Sequence, residues 1–152
     1  MAVKPSKDHW LFKNKEHGKT SAAASLGMIS LWDGDSGFGL IDKYLHSNDN
    51  HVIAGALLGI GIFNSSIKSD CDPALAILGE YIDKEDPSIR IGAIMGLGIA
   101  YAGARNEKIR SKLTPILSDA KAPLDVVTFS AISLLVPAMK KLLKQSYLHK
   151  WT

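Results

Sequence analysis

The residues able to do acid–base, nucleophilic or metal chemistry in this 152-residue chain are five histidines, one cysteine, its serines and fifteen acids. The histidines are His9, His17, His46, His51 and His149. No two stand three or four positions apart and none belongs to an HExxH pair, so no helix face is set up by spacing to hold zinc. They read instead as surface or boundary residues. Cys71 lacks a second cysteine for a disulfide or a CxxC site. The carboxylates of Asp70 and Asp72 on either side of it disfavour the thiolate that a nucleophile needs. The serines form no GxSxG elbow. The run HGKTS (17–21) ends like a phosphate loop, but Lys13 stands where the leading glycine is required, and GxGxxG is absent. Asn64-Ser65-Ser66 fits the glycosylation acceptor pattern, which matters only in a secreted chain. The expectation is a protein that is not an enzyme and that uses no cofactor and no metal.

Composition narrows the alternatives. With 46% hydrophobic and 22% charged residues, the chain can bury a core and has the size of one domain. The longest apolar runs, Val52–Phe63 and Ile91–Gly103, have 12 and 13 residues. A membrane-crossing helix needs about 20. The start MAVKPSKDHW has no apolar core of a secretory signal, and a single cysteine fits a reducing compartment. Charge is unevenly placed. Residues 33–86 hold ten acids against Lys43, Lys68 and Lys84, a net of −7, whereas the last seventeen residues hold four lysines and no acid, a net of +4. The acidic centre repels nucleic acid and favours a basic partner.

The elements that must carry these side chains come from a repeat. AGALLGIGI (54–62) and IGAIMGLGI (91–99) align without a gap, and Gly55, Gly59 and Gly61 match Gly92, Gly96 and Gly98 at an offset of 37. An earlier copy, SAAASLGM (21–28), lies 34 residues back with Ser21, Ser25 and Gly27 in the glycine positions, and a degraded fourth copy begins at Phe129. Each small-residue run is followed by a second periodic segment: GFGLIDKYLHSNDN, DPALAILGEYIDKEDP, then EKIRSKLTPILSDAKAP. Tyr44 and Tyr81, and Asp49 and Asp86, share the 37-residue offset. Two helices in every 35–40 residues is the pattern of an α-solenoid.

Glycine weakens an isolated helix by about 1 kcal/mol relative to alanine, so three in one helix must be offset by packing. Gly55 and Gly59 lie one turn apart on one face, which lets a neighbouring helix come close. The glycine-rich helices are therefore expected to form the inner layer. Sustained period-2 alternation and hairpin turn signals are missing, so strands are not expected. Asp72-Pro73 reads as N-cap and first helical position, and Asp86-Pro87-Ser88 and Ala122-Pro123 read as breaks between repeats.

The GALLGIGI and GAIMGLGI runs resemble the proteasome/cyclosome repeat. The wider wording, HWLFKNKEHGKTSAAASLGMISLWD, DKYLHSNDN, CDPALAILGEYI and RIGAIMGLGIAYAG, is similar to the large base subunits of the proteasome regulatory particle that are built from this repeat. The IDKYL detail (41–45) suggests a plant-like member. The resemblance spans about residues 8–134 and implies an all-α solenoid, an arc of a closed toroid, acting as a non-catalytic scaffold in ubiquitin-dependent degradation. The partners it implies are ubiquitin, the ubiquitin-like domains of shuttle factors, and other proteasome base subunits including the ATPases, with neither nucleic acid nor membrane. The implied location is cytoplasm and nucleus. The alternative is a purely structural spacer that contacts other proteasome subunits.

The chain then divides into an N-terminal flank (1–17), the repeats (18–134) and a divergent basic tail (135–152) that could act as a capping helix. In the tail the repeat calls for glycine at 135, where the chain has Leu135, and Pro137 is expected to stop the helix. The surface suited to binding is a helix expected over Asp72–Asp83. Leu75, Leu78 and Ile82 face its core, with Tyr81 alongside. Its opposite stripe is Asp72, Ala76, Gly79, Glu80 and Asp83, acidic at the ends and small in the middle. The stripe one repeat earlier includes Asp42. Stacked rungs would set the two stripes side by side as a shallow acidic groove. In the family a docking site for ubiquitin-like domains lies in this part of the toroid. The resemblance therefore implies contacts from Asp72, Glu80 and Asp83, then Asp42 and Asp49, over a floor of Ala76 and Gly79. A solvated charged face is the competing reading.

Overall fold

Buried glycines decide how this chain stacks. The computed structural model describes residues 10–31, 37–65, 73–104 and 106–148. A 3-10 turn at Trp10–Lys13 leads into α1 (Glu16–Ile29), α2 (Gly37–Leu45), α3 (Asn50–Asn64), α4 (Pro73–Leu78), α5 (Pro87–Ala100), α6 (Glu107–Ser118) and α7 (Leu124–Leu148). No strand occurs among the described residues. The fold is an all-α solenoid. The small-residue helices α1, α3, α5 and α7 pack in chain order into one layer. On the other side, α2 sits against α1 and α3, α4 against α3 and α5, and α6 against α7.

Several helices start where a short polar side chain replaces the missing backbone acceptors. Asp49 accepts from the His51 N–H at the start of α3 (3.0 Å). Asp86 accepts from the N–H groups of Ser88 (2.9 Å) and Ile89 (3.1 Å) with Pro87 in the first turn of α5. Asn106 accepts from the Lys108 N–H at the start of α6 (3.0 Å). The breaks expected at Asp86-Pro87 and Ala122-Pro123 lie where α5 and α7 begin. The core comes from both layers. Leu57, Ile60, Ile94, Leu97 and Val126 of the inner helices are fully buried against Ile41, Tyr44, Leu78 and Leu113 of the outer ones.

Within the inner layer, backbones touch. A Cβ added at Gly27 would collide with the backbone of Gly59, one at Gly61 with that of Gly96, one at Gly92 with that of Ala54, and one at Gly55 with the Thr20 carbonyl. One at Gly98 would lie 2.9 Å from Ser133 Cα in α7. The glycines thus fix the seams α1–α3, α3–α5 and α5–α7. Gly59 is less tight: its added Cβ meets nothing nearer than 3.4 Å. Ser133 replaces glycine in the last seam, at the repeat equivalent of Gly96. Ser130, the equivalent of Ala93, is fully buried in α7, and its hydroxyl donates to the Val126 carbonyl (2.7 Å), so no donor is left unsatisfied.

Two expectations fail on local grounds. The helix expected over 72–83 covers only Pro73–Leu78 among the described residues. Gly79 ends it. The Gly79 N–H reaches the Leu75 carbonyl (3.1 Å), after which Glu80 and Tyr81 donate three residues back, to Ile77 (3.2 Å) and Leu78 (3.1 Å), in a tightening turn. Leu78 and Ile82 are nevertheless buried as the periodicity requires, and Leu75 and Tyr81 are half-buried. The second failure is Pro137. Helix α7 runs through it to Leu148. A proline deletes one i→i−4 bond and crowds one carbonyl, which a long helix with strong formers on both sides survives. Pro115 sits inside α6 in the same way, on its exposed side. The described side chains end at Val136, so a capping role for Met139, Leu142, Leu143 and Trp151 lies outside the described residues.

The seams make a paired test. Gly61→Ala and Gly92→Ala are expected to destabilise by about 1–3 kcal/mol through overpacking, despite better helix propensity. Gly39→Ala in α2, where an added Cβ meets nothing within 4 Å, is expected to stabilise by about 0.5–1 kcal/mol. Urea midpoints of the three variants check both signs.

Candidate functional site

The expected acidic stripe falls on the outer side of the solenoid, where short helices and turns replace one long helix face. Ala76 is exposed on α4, and Glu80 and Asp83 are exposed on the turn that follows, with Glu85 exposed beyond them. Gly79 is half-buried, and the Lys112 ammonium of α6 lies 3.6 Å from where its Cβ would stand. A cation therefore sits over the expected small-residue floor and offsets part of its negative field. Lys84 adds a second cation, 5.5 Å from the centre of the Tyr81 ring. One repeat earlier Asp42 is exposed on α2, and Lys43 lies 5.1 Å from the centre of the Tyr44 ring. Only the tyrosines are repeat equivalents: Asp42 and Lys43 precede Tyr44, whereas Asp83 and Lys84 follow Tyr81. Tyr44 itself is buried, and burial pushes its hydroxyl pKa up. Asp72 and Cys71 lie outside the described residues, so the stripe is described from Ala76 onward.

Asp49 has a different occupation from the one expected of a docking acid. It caps α3 and receives the Lys19 ammonium from α1 at 2.6 Å. Its partial burial pushes the carboxyl pKa up, but the hydrogen bond and charge of Lys19, with the backbone N–H groups of His51 and Val52, prevail and hold it below the usual carboxylate value. Its repeat equivalent Asp86 is tied in a parallel way, accepting from the Asn50 side chain at 2.7 Å. Each N-cap aspartate therefore also clips its inner helix to the one before it, across the seams α1–α3 and α3–α5.

The sequence reading missed one pairing. His17 and His51 are far apart in the chain, yet their rings meet edge-to-face across α1 and α3 with centroids 5.3 Å apart. The repeat was the signal available, because it places both residues at the same end of consecutive inner helices. Among the described residues no group of three or more histidines, cysteines and acids is gathered as a metal site would require. Asn64 is buried, and its amide donates to the Ile60 carbonyl (2.8 Å), so the glycosylation pattern is occluded. Residues 17–21 form the first turns of α1 rather than a phosphate loop. Among the described residues no helix is long and apolar enough to cross a membrane.

The proteasome/cyclosome repeat family matches the chain at residues 21–54 and 92–125. The chain is 74% identical over 129 residues to a protein of Arabidopsis thaliana named 26S proteasome non-ATPase regulatory subunit 2 homolog A, covering 85% of this chain and 14% of the relative. Homolog B of the same plant is 69% identical over 126 residues, covering 83% of this chain and 14% of the relative. The 26S proteasome regulatory subunit rpn1 of Schizosaccharomyces pombe is 53% identical over 134 residues, covering 88% and 15%. The chain thus spans about one seventh of the length of these relatives.

The caps give a prediction with a pH sign. A carboxylate held below its usual pKa in the folded state stabilises fully above the ordinary value of about 4, and that stabilisation is lost as pH falls through the folded value. Asp49→Ala is expected to cost about 0.5–2 kcal/mol at neutral pH. Asp49→Asn keeps a capping oxygen and is expected to cost less. The gap in urea midpoint between wild type and Asp49→Asn is expected to close as pH falls from about 5 to about 2. A gap constant over that range would contradict the role given to the Lys19 pair.

Proposed function

From the premise that this chain carries proteasome/cyclosome repeats and matches a segment of 26S proteasome non-ATPase regulatory subunit 2, we propose that it is a non-catalytic scaffold segment of the proteasome regulatory particle. In this role it works in ubiquitin-dependent protein degradation in cytoplasm and nucleus, alongside other base subunits including the ATPases. The observation that carries the reading is the 74% identity across 85% of the chain, in a stretch whose repeat fixes the fold. A solenoid suits such work, because each repeat contacts only its neighbours and leaves one long face open to partners.

The finer reading places ubiquitin and ubiquitin-like domains on the outer edge of this arc. Exposed Glu80 and Asp83 beside exposed Ala76, with Asp42 one repeat earlier, offer small contact area inside an acidic rim. That arrangement complements an apolar patch ringed by basic side chains. Gly79 belongs to the same edge, and Asp72, a candidate from the sequence alone, lies outside the described residues. Asp49, held by Lys19, supports α3 first and any partner second. The purely structural spacer draws support from two observations: Asp49 is already paired, and Lys112 lies over Gly79.

An NMR titration with ubiquitin separates the two readings. Docking predicts binding with a constant of about micromolar scale, and shifts centred on residues 76–83. Exposed charge pairs contribute only about 0.2–1 kcal/mol each, so one neutralisation changes little. The triple change Asp72→Arg, Glu80→Arg, Asp83→Arg reverses the rim and is expected to abolish the shifts, while Glu107→Arg on α6 leaves them. A folded triple variant with wild-type shifts would leave the spacer reading standing.

A further inference from the structure

One buried side-chain atom among the described residues lacks a hydrogen-bond partner, and it is Nδ1 of His51. Each nitrogen of an imidazole carries either a proton or a lone pair, so burying one without a partner costs the fold. The ring on the facing helix is His17, with centroids 5.3 Å apart and planes at 75°. The pair lies within the inner layer, on the seam between α1 and α3. Both histidines stand in the first turn of their helices, at equivalent positions of consecutive repeats. Ser88 holds the same position in α5, so the repeat itself does not call for an imidazole there. The glycine seam brings the two rings within reach. One turn further along both helices, a Cβ added at Gly55 would collide with the Thr20 carbonyl.

We propose that His17 and His51 chelate a late first-row divalent cation, of which zinc is the type, across the α1–α3 seam. Imidazole suits zinc, copper and nickel, whereas calcium and magnesium take oxygen ligands. At Zn–N distances of about 2.0–2.1 Å and tetrahedral angles, two imidazoles on one ion have their ring centres about 5 Å apart. The observed separation meets this requirement, so turning the rings, without moving either helix, suffices to present one nitrogen from each. The orphaned Nδ1 lone pair of His51 then has an acceptor. His17 is exposed and His51 half-buried, so the ion enters from solvent past His17, and water fills its remaining positions. Local charge permits this. Lys19, two residues on from His17, is neutralised by Asp49 at 2.6 Å, and exposed Glu16 adjoins His17. Two protein ligands are fewer than the four of a structural zinc site, and among the described residues no third histidine, cysteine or acid completes such a group. The site is therefore an exchangeable one. It takes up zinc reversibly and pins the start of α1 to α3, beside the Lys19–Asp49 clip.

Isothermal titration of the chain with zinc chloride tests the proposal. Wild type is expected to bind one zinc with a constant of about micromolar scale. His17→Ala and His51→Ala are each expected to weaken binding about tenfold or more, because each leaves a single ligand of a chelate. His46→Ala removes an exposed histidine just after α2 and is expected to change nothing. In ring 1H–15N spectra, one equivalent of zinc is expected to shift the signals of His17 and His51 together. Zinc is also expected to raise the melting temperature of wild type but of neither variant. Circular dichroism checks the fold, and His51→Gln, which keeps the bulk of the side chain, replaces His51→Ala if that variant fails it. A wild type that takes up no zinc at millimolar concentration would overturn the proposal. So would a folded variant of either histidine with wild-type affinity, or shifts confined to His9, His46 or His149.

Discussion

Backbone-to-backbone contact between consecutive inner helices is the constraint on which the rest of the structure depends. Gly27 lies on Gly59, Gly61 on Gly96 and Gly92 on Ala54, at separations no side chain could enter. Close approach brings many atoms within dispersion distance, and this offsets the poor helix propensity of glycine. It also fixes register. A helix that can approach closely only where glycine faces it has few positions along its neighbour to choose from. The outer helices then follow, because Tyr44, Leu78 and Leu113 must fill the grooves that this layer defines.

Polar groups reinforce the same register. The Lys19–Asp49 pair and the Asn50–Asp86 hydrogen bond each join an inner helix to the N-cap of the next. A single aspartate thus satisfies backbone N–H groups and clips two repeats together. This ties down the acids nearest the inner layer and leaves those on the outer side, Asp42 on α2 and Glu80 and Asp83 on the turn after α4, for solvent or a partner. The division between structural and available carboxylates comes from the repeat geometry, because N-caps lie at seams whereas the outer turns do not.

Much of this was legible in the residues. The 37-residue offset, the glycine spacing and the Asp-Pro breaks sufficed for the solenoid, its inner helices and most of its boundaries, because each rests on local chemistry repeated in register. Gly79 was harder. Read by periodicity, residues 72–83 form one amphipathic helix, yet the glycine ends it at Leu78 while Ile82 still reaches the core through a turn. Pro137 erred the other way, since a penalty that halts a short helix does not halt a long one. Of the candidate site, the exposure of Glu80 and Asp83 followed from their periodicity. The pairing of Asp49 with Lys19, the approach of Lys112 to Gly79 and the meeting of His17 with His51 did not. Each joins residues on different helices, and their distances depend on how closely the helices pack.

Native-state hydrogen exchange tests the central claim most directly, because it reads the stability of each helix separately. If the glycine seams hold the fold, amides in the middle of α3 and α5 exchange only through global unfolding, and those of α2 and α4 exchange earlier through local opening. Exchange in α3 and α5 as fast as in α4, or protection strongest in the outer helices, would contradict an architecture built from its inner layer.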